Sequence, residues 1–270
     1  MGNPSWIGLA NCWRNVATPL RPDRTDAAWA QEVIDTVAAR APAPDVLLLG
    51  VTPELARLRF PPAARLLAVD SSPEMIRRVW PAPDSCTALA VCGRWQALPV
   101  RAGSIDLVLA DGSFCVVPDV TAIRAVLSRV ATAMRVGAGL SVRTFVRPDE
   151  PESLDRVVDE LRAGRVGSVH VAKWRVAMAL QGRGESVALV DVWRVFERLL
   201  PGLRQIATST GWSADALATL EAYRGSSSRL SFPTLAETRA LFGQHFEECS
   251  CRMPAYELGE RCPTFLWRRR

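Results

Sequence analysis

A glycine and an aspartate, each at the end of a short apolar run, carry the clearest chemical signal in the sequence. Gly50 follows residues 46–49, and Asp70 follows residues 66–69. In an open parallel sheet, ligands bind outside the carboxyl ends of the strands, and an acidic side chain about 20 residues after the first glycine accepts hydrogen bonds from ribose hydroxyls. The pair predicts a nucleotide site with Asp70 on the ribose; the alternative is that Asp70 only caps the following helix.

Further polar residues stand where they could reach the ligand or its reaction partner. Asp111 ends another apolar run and is followed by Gly112 and Ser113. Arg143 is a charge in an otherwise apolar run; because a buried arginine needs a partner, it would either hold a substrate carboxylate or pair with Asp111. His170 is the better candidate of the two histidines for a general base, and a histidine without chemistry is the alternative.

The elements that must position these residues follow a repeated pattern. Apolar runs without alternation are typical of strands buried on both faces, and their alternation with helical segments predicts an α/β fold with a doubly wound, mostly parallel sheet. Two more strands near the end predict a C-terminal antiparallel hairpin, which makes a seven-stranded sheet. The predicted strands are residues 46–49, 66–69, 88–91, 105–110, 140–145, 246–253 and 263–269.

Helices are predicted where apolar residues recur every three or four positions. One spans residues 26–39, with Thr25 or Asp26 as its cap. Another spans residues 120–134 and is ended by the glycines before the fifth strand. Ser72 and the proline after it fit the cap and first residue of a third.

The strand pattern stops over residues 148–231, where helices are predicted at 153–161, 169–180, 187–200 and 214–223. We divide the chain into residues 1–147, an N-terminal cap segment with the cofactor-binding core; 148–231, a helical insertion; and 232–270, the rest of the core. The insertion would cover the site, with Trp174 and Tyr223 either shaping an acceptor pocket or simply packing. A closed cap suits a small acceptor better than a polymer.

The ordered motifs resemble those of the class I S-adenosylmethionine-dependent methyltransferases. The stretches that carry the resemblance are residues 46–55, 66–76, 98–99 with 104–113, and 135–143. Their order and spacing are more specific than any one of them, and the resemblance covers about residues 25–147 and 232–269. It implies a Rossmann-like fold and S-adenosylmethionine as the cofactor.

By this resemblance, Gly50 would let the backbone approach the methionine part of the cofactor, and Asp111 would lie at the sulfonium and substrate end. Arg94 and Trp95 occupy the place of the family's acidic residue and its neighbour near the adenine. The cofactor-binding residues expected are Gly50, Val51, Thr52, Glu54, Asp70, Ser71, Met75, Arg94, Trp95, Asp111, Gly112 and Ser113.

The first loop departs from the family pattern of three alternate glycines. Thr52 and Glu54 replace the second and third glycines. The Glu54 carboxylate would lie near the amino group or sulfonium of the cofactor, or would only begin the next helix, where its charge suits the helix dipole. Arg94 in place of an acidic residue is a second departure. Backbone groups would then bind the adenine, with Trp95 stacked beside it.

Methyl transfer is the activity that the resemblance implies, and the predicted cap makes a small molecule the expected acceptor. Such transfer depends on proximity, orientation and exclusion of water, so it requires no strong acid–base pair; His170, Arg143 and Asp111 are the candidate catalytic residues. Two alternatives stay open: use of the same cofactor for aminocarboxypropyl transfer or a cyclisation that releases methylthioadenosine, or a cofactor-binding scaffold protein without catalysis.

Composition argues against several other classes of protein. No apolar run is long enough for a membrane helix, and residues 1–6 lack the pattern of a signal peptide, so a cytoplasmic enzyme is expected. The net charge of +5 comes from arginines spread along the chain, with Lys173 the only lysine, so no nucleic-acid partner is expected. The seven scattered cysteines predict no metal site. A homodimer is one option for the assembly.

Overall fold

The structure, a computed structural model, describes residues 4–270, except the side chains of residues 4, 5, 200, 201 and 204. Residues 1–3, part of the stretch without a signal-peptide pattern, lie outside the described residues. The strands are β1 (Asp45–Leu49), β2 (Arg65–Asp70), β3 (Thr87–Cys92), β4 (Ile105–Asp111), β5 (Met134–Arg143), β6 (Val187–Ala188), β7 (Arg229–Leu230), β8 (Phe246–Arg252) and β9 (Thr264–Arg269). The helices are α1 (Pro4–Asn11), α2 (Arg24–Ala38), α3 (Pro53–Ala56), α4 (Pro73–Val79), α5 (Val120–Ala133), α6 (Leu154–Arg162), α7 (Val169–Gln181), α8 (Leu189–Thr210), α9 (Ala214–Ala218) and α10 (Leu235–Phe242).

A seven-stranded sheet forms the centre, with strand order β3-β2-β1-β4-β5-β9-β8. The first five strands are parallel, and β9 runs antiparallel to both β5 and β8. The predicted α/β fold, with a mostly parallel seven-stranded sheet and a terminal antiparallel hairpin, is confirmed. The order of the strands reverses at β1: the chain proceeds outwards through β2 and β3 and then returns to the other side of β1 at β4. The carboxyl ends of β1 and β4 therefore flank a crevice at this switch point.

The continuous apolar runs are explained by burial on both faces of the sheet. In β1, Leu47 and Leu49 pack into the cluster formed with α5 and α10, whereas Val46 and Leu48 pack into the cluster formed with α2, α3 and α4. Because successive side chains of a strand point to opposite faces, a strand covered by helices on both sides must be apolar at every position. Each buried leucine contributes about 2 kcal/mol.

The fifth strand begins earlier than predicted. β5 starts at Met134, directly after α5, and not at residue 140. The register shifts between Ile105 and Leu107 of β4, which pair with Met134 and Gly139, so β5 contains a bulge. Gly137 has φ 81°. A glycine with positive φ can end a helix or accommodate a β-bulge. The glycines were predicted to end the helix, whereas the structure has a bulge here.

Helix α2 has a different cap from the one predicted. Asp23, and not Thr25 or Asp26, is the N-cap. The Asp26 amide donates to Asp23 Oδ1 (2.8 Å), and the Asp23 amide donates to Asp26 Oδ2 (3.1 Å). This reciprocal capping box needs the acidic pair three residues apart. At α4, Ser72 is the cap as predicted, accepting from the Met75 amide at 3.3 Å.

We call residues 148–231 the cap. It contains α6 to α9, close to the four predicted helices, but α8 starts at Leu189 because Val187 and Ala188 pair with β7. α8 continues to Thr210 and ends at Gly211, whose φ of 76° allows the left-handed C-cap. The last predicted helix is an α-helix only to Ala218 and a 3-10 helix over Thr219–Tyr223.

The cap has a hydrophobic core of its own, which continues into the sheet side through Phe145 and Leu258. It is therefore packed firmly against the carboxyl edge of the sheet. Within the described residues, no helix has the length and apolar character needed to cross a membrane.

Candidate active site

A cavity of about 800 Å³ lies between the carboxyl edge of the sheet and the cap. Its floor is formed by the loops after β1, β2, β3 and β4, and its far wall by residues of the cap. The N-terminal segment covers part of it, because Trp6 and Leu9 of α1 and Trp13 line the cavity. The volume is in the upper part of the range for small-molecule sites, roughly 300–1,000 Å³.

Eleven of the twelve residues expected to bind the cofactor line this one cavity. The exception is Glu54. The eleven are Gly50, Val51, Thr52, Asp70, Ser71, Met75, Arg94, Trp95, Asp111, Gly112 and Ser113. Parallel strands end at the same edge, so residues far apart in sequence meet there.

Asp70 has one carboxylate oxygen engaged and one turned towards Gly50. Its Oδ1 accepts a hydrogen bond from the Ser72 amide at 2.8 Å. A Cβ on Gly50, which has φ 97°, would lie 3.8 Å from Oδ2 of Asp70. Burial raises the pKa of Asp70 to about 6, although the Ser72 hydrogen bond lowers it. The second oxygen and the bare glycine backbone form a place for a hydroxyl-bearing ligand.

Gly112 is required where the loop after β4 passes Phe145. Its φ is 61°, and an added Cβ would lie 2.6 Å from Phe145 Cε2. Its amide donates to the Arg143 carbonyl at 2.9 Å, and the neighbouring Ser113 hydroxyl donates to the Leu49 carbonyl at 2.8 Å. The loop is thus fixed to both neighbouring strands, with its backbone close to the cavity.

Trp95 is held beside the second strand by its indole. The Trp95 Nε1–H donates to the Val69 carbonyl at 2.7 Å, and the residue lines the cavity in a short 3-10 helix. Arg94, its neighbour, is exposed at the cavity margin. A flat indole fixed by a hydrogen bond can pack against an adenine ring.

Glu54 holds the N-terminal segment. The Arg21 guanidinium bonds it through Nη2 and through Nε at 2.9 Å. The same guanidinium donates to the carbonyls of Trp13 (3.1 Å) and Val16 (3.2 Å). Glu54 is therefore part of the contact that keeps this segment over the site. No local spacing connects Arg21 and Glu54, so the sequence does not predict their pairing.

Arg143 and Asp111 form a buried ion pair, with Arg143 Nε 2.5 Å from Asp111 Oδ1. Arg143 Nη1 also donates to the Pro19 carbonyl and to the Tyr256 hydroxyl, each at 2.7 Å, and lies 3.8 Å from Asp26 Oδ2. Burial alone would lower the pKa of Arg143, but the Asp111 carboxylate raises it, so the guanidinium stays charged. Of the two partners considered for Arg143, the structure contains Asp111.

The structure places His170 outside the wall of the cavity. It is 2% exposed, and its Nε2 lies 3.0 Å from the Asn15 carbonyl oxygen. Burial, together with the nearby charge of Lys173, lowers the pKa of His170 to about 4. A neutral imidazole that bonds the N-terminal segment is not positioned to reach a ligand in the cavity.

Lys173, one turn further along α7, was not considered as a candidate. It is fully buried, and its Nζ bonds the Thr219 hydroxyl and lies 5.0 Å from the centre of the Tyr223 ring. Burial lowers its pKa to about 7. Across the described part of the chain it makes no ion pair. The available signal was that the single lysine of the chain lies within an apolar helix.

Residues that could hold a metal ion are not gathered in the structure. Among the described residues, no three or more histidine, cysteine, aspartate or glutamate side chains come close enough together to do so.

Comparison with known protein families finds a match in the core of the fold. Residues 49–134 match the family described as a methyltransferase domain. This segment runs from the end of β1 to the start of β5 and contains the eleven expected residues that line the cavity. No curated protein matches the sequence of the chain.

Several solved structures share the fold at low sequence identity. A Rhodobacter sphaeroides protein described as a zinc-dependent alcohol dehydrogenase is 15% identical, with a TM-score of 0.55, over 100% of this chain and 99% of its own. A Nostoc punctiforme protein described as an O-methyltransferase is 15% identical, with a TM-score of 0.50, over 98% of this chain and 61% of its own. The N-methyltransferase NodS of Bradyrhizobium japonicum, in complex with S-adenosyl-L-homocysteine, is 10% identical, with a TM-score of 0.47, over 97% and 98%.

Because the sequence identities are low, these structures support only the fold. The assignment to a methyltransferase domain depends on residues 49–134, which match the family. That segment occupies the switch point of the sheet, where the family's ligand site is expected. Residues 49–134 therefore contain a methyltransferase domain, which supports the class I S-adenosylmethionine-dependent methyltransferase family and S-adenosylmethionine as the cofactor.

Proposed function

We propose that the protein transfers a methyl group from S-adenosylmethionine to a small-molecule acceptor bound under the cap. The observation that carries the proposal is the continuous cavity of about 800 Å³, with the expected cofactor residues on one side and Trp174, Leu189 and Tyr223 of the cap on the other. A cavity with two chemically different walls suits two ligands that must meet. The cofactor, when bound, supplies a methyl group activated by its sulfonium.

The floor of the cavity would bind the cofactor. Asp70 would accept hydrogen bonds from the ribose hydroxyls through the oxygen that Ser72 does not use. Gly50 and Gly112 would let the backbone approach, since neither carries a side chain towards the ligand. Trp95 would pack beside the adenine, with its orientation set by the Val69 carbonyl.

The buried ion pair would fix positions, because Nε and Nη1 of Arg143 donate to protein groups, whereas its buried Nη2 has no hydrogen-bond partner among the described residues. It would hold the loop that begins at Asp111 and, through the Pro19 carbonyl, the segment that covers part of the cavity. We assign no proton transfer to His170, since its ring lies outside the wall. Rate enhancement would come from orientation and exclusion of water.

The N-terminal segment that bridges the cavity supports a small acceptor. α1 packs against α4 of the core and against the 3-10 helix Thr219–Tyr223 of the cap. The contact is close, because a Cβ on Gly8 would lie 3.2 Å from Ala222. The N-terminal segment thus joins core and cap across the cavity, where a polymer would need an open groove.

Cofactor binding is the first test. Calorimetric titration with S-adenosylmethionine and S-adenosylhomocysteine should show micromolar binding, about −8 kcal/mol, that is lost in Asp70→Ala. The matched control is Asp84→Ala, which removes an exposed aspartate outside the cavity. If the wild type binds neither compound, or if Asp84→Ala loses as much affinity as Asp70→Ala, the proposed site is wrong.

The product decides between the uses of the cofactor. Methyl transfer yields S-adenosylhomocysteine, whereas aminocarboxypropyl transfer or cyclisation yields methylthioadenosine. Mass spectrometry of the nucleoside product, after incubation with acceptor mixtures, distinguishes the two. Tight binding without either product across those mixtures would favour the scaffold alternative.

A further inference from the structure

The part of the cavity under the cap is an aromatic slot, formed by Phe145, Trp174 and Tyr223. All three are at least nine-tenths buried. Trp174 packs edge-on against Phe145, with ring centres 5.2 Å apart, and edge-on against Phe232 at 5.3 Å. The Trp174 ring, held by Phe145 and Phe232, has little freedom to rearrange, so the slot presents a fixed aromatic wall against which an aromatic ligand can pack.

The slot adjoins the loop after β4. Phe145 lies against Gly112, where an added Cβ would be 2.6 Å from its ring. By the family resemblance, this loop is at the sulfonium end of the cofactor. A ring in the slot would therefore have its edge beside the methyl group to be transferred.

The walls of the slot provide no negative charge. Among the described residues of the cap and the N-terminal segment that line the cavity, Arg229 alone is charged, and its guanidinium donates to the hydroxyl (2.9 Å) and carbonyl (3.1 Å) of Ser186. Asp111, at the floor, is neutralised by Arg143.

Behind the slot lies Lys173, whose amino group is about half protonated at pH 7 because burial lowers its pKa to about 7. The Lys173 ammonium is over the face of Tyr223, 5.0 Å from the ring centre, and its hydrogen-bond partner is the neutral Thr219 hydroxyl. A cation buried without a carboxylate makes a positive potential that water screens poorly. That potential disfavours a cationic ligand at Tyr223 and favours a neutral or anionic one.

We propose that the acceptor is a planar aromatic compound with a hydroxyl group, bound against the rings of Phe145, Trp174 and Tyr223 and methylated on oxygen. The inference rests on the proposed function. The hydroxyl proton leaves to water as the oxygen ionises near Lys173. The oxygen then forms a bond to the methyl carbon as the carbon–sulfur bond breaks, and the bonding electron pair stays on sulfur, so S-adenosylhomocysteine is the second product.

The test compares ligands of equal size on protein saturated with S-adenosylhomocysteine. The probes are 2-naphthol, its saturated counterpart 2-decalol, and 2-naphthylmethylamine, which is a cation at neutral pH. Calorimetry should show 2-naphthol binding at least tenfold more tightly than either of the others. Equal binding of 2-decalol, tighter binding of the amine, or no binding of 2-naphthol would overturn the proposal.

Lys173→Met supplies the matched variant, because methionine keeps the length of the buried side chain without its charge. We expect the preference for 2-naphthol over the amine to fall at least fivefold in the variant, with unchanged affinity for S-adenosylhomocysteine. An unchanged preference would show that Lys173 does not select the ligand and would overturn the charge argument.

Titration with S-adenosylhomocysteine separates the two levels of inference. If the wild type fails to bind it, the proposed function fails, and the acceptor proposal fails with it. If it binds but the naphthalene probes show none of the expected preferences, the acceptor proposal alone is refuted.

Discussion

Replacement of Lys173 by methionine should make the protein more stable at neutral pH. The lysine is fully buried, and its ammonium bonds the Thr219 hydroxyl. Methionine fills nearly the same volume with an unbranched chain. It leaves no orphaned donor, because the Thr219 hydroxyl also donates to the Ala216 carbonyl at 2.5 Å. The variant therefore removes a buried charge with little change in packing.

The size of the effect follows from the two pKa values of Lys173. Burial lowers the pKa from 10.5 to about 7 in the folded protein. Below pH 7 both states bind the proton, and the folded state carries the full penalty for the buried charge. Between pH 7 and 10.5 the unfolded chain binds more protons, so the free energy of unfolding rises with pH. The penalty is about 4 kcal/mol at pH 7 and about 2 kcal/mol at pH 9.

Urea unfolding of wild type and Lys173→Met at pH 7, 8 and 9, under reducing conditions, measures this difference. The advantage of the variant should shrink by about 2 kcal/mol across the interval. Loss of the Thr219 hydrogen bond, about 1 kcal/mol, lowers the advantage equally at each pH, so the slope is the sharper quantity. The interval avoids the titration of His170, which has a lowered pKa of about 4.

An advantage that does not change with pH would refute the reasoning, since it would mean that Lys173 titrates alike in the folded and unfolded chains. So would a wild type that is more stable than the variant at all three pH values. In that case the ammonium would have to be stabilised in the folded protein by more than Thr219 and the face of Tyr223, and the positive potential inferred for the aromatic slot would be lost as well.

Three other substitutions test the site. The affinity for S-adenosylhomocysteine should fall about tenfold from pH 7 to pH 5, because Asp70, with its pKa raised to about 6, loses its charge; Asp70→Asn should abolish this pH dependence in calorimetry. Arg143→Met should lower the free energy of unfolding by about 3–5 kcal/mol, because it leaves the Asp111 carboxylate buried and unpaired; a loss below 1 kcal/mol in urea would contradict a central role for the pair. Gly112→Ala should cost about 1–3 kcal/mol more than Gly103→Ala, since both glycines have φ near 60° but only Gly112 has a side chain in the way; equal losses would mean that Phe145 yields freely.

The sheet could be predicted because its strands are buried on both faces. The continuous apolar run that ends at Leu49 has no other simple explanation in a chain of this composition. The bulge in β5 could not be predicted, because Gly137 fits the end of a helix equally well. The two-residue strands β6 and β7 are too short to leave a periodic signal.

The floor of the candidate site was predictable for a related reason. Asp70 and Asp111 end strands, and strand ends meet at one edge in any doubly wound sheet. The side-chain pairings were not predictable. Arg21 meets Glu54 across 33 positions, and Arg143 meets Tyr256 across 113. The surroundings of His170 were not predictable either. The path of the N-terminal segment across the sheet decides whether this side chain faces a ligand or the Asn15 carbonyl, and the sequence of α7 alone does not determine that path.

The contacts of Arg143 also bear on how the molecule opens. One guanidinium bonds groups from the N-terminal segment, the end of β4 and the loop before β9. Detaching the segment at Pro19 therefore removes an acceptor from the guanidinium that also stabilises Asp111 and leaves a buried charge with one hydrogen bond fewer. Residues 4–20 should then exchange their amide hydrogens together with the sheet edge and not as a frayed terminus. Ligand entry would be tied to a cooperative opening of the whole carboxyl edge.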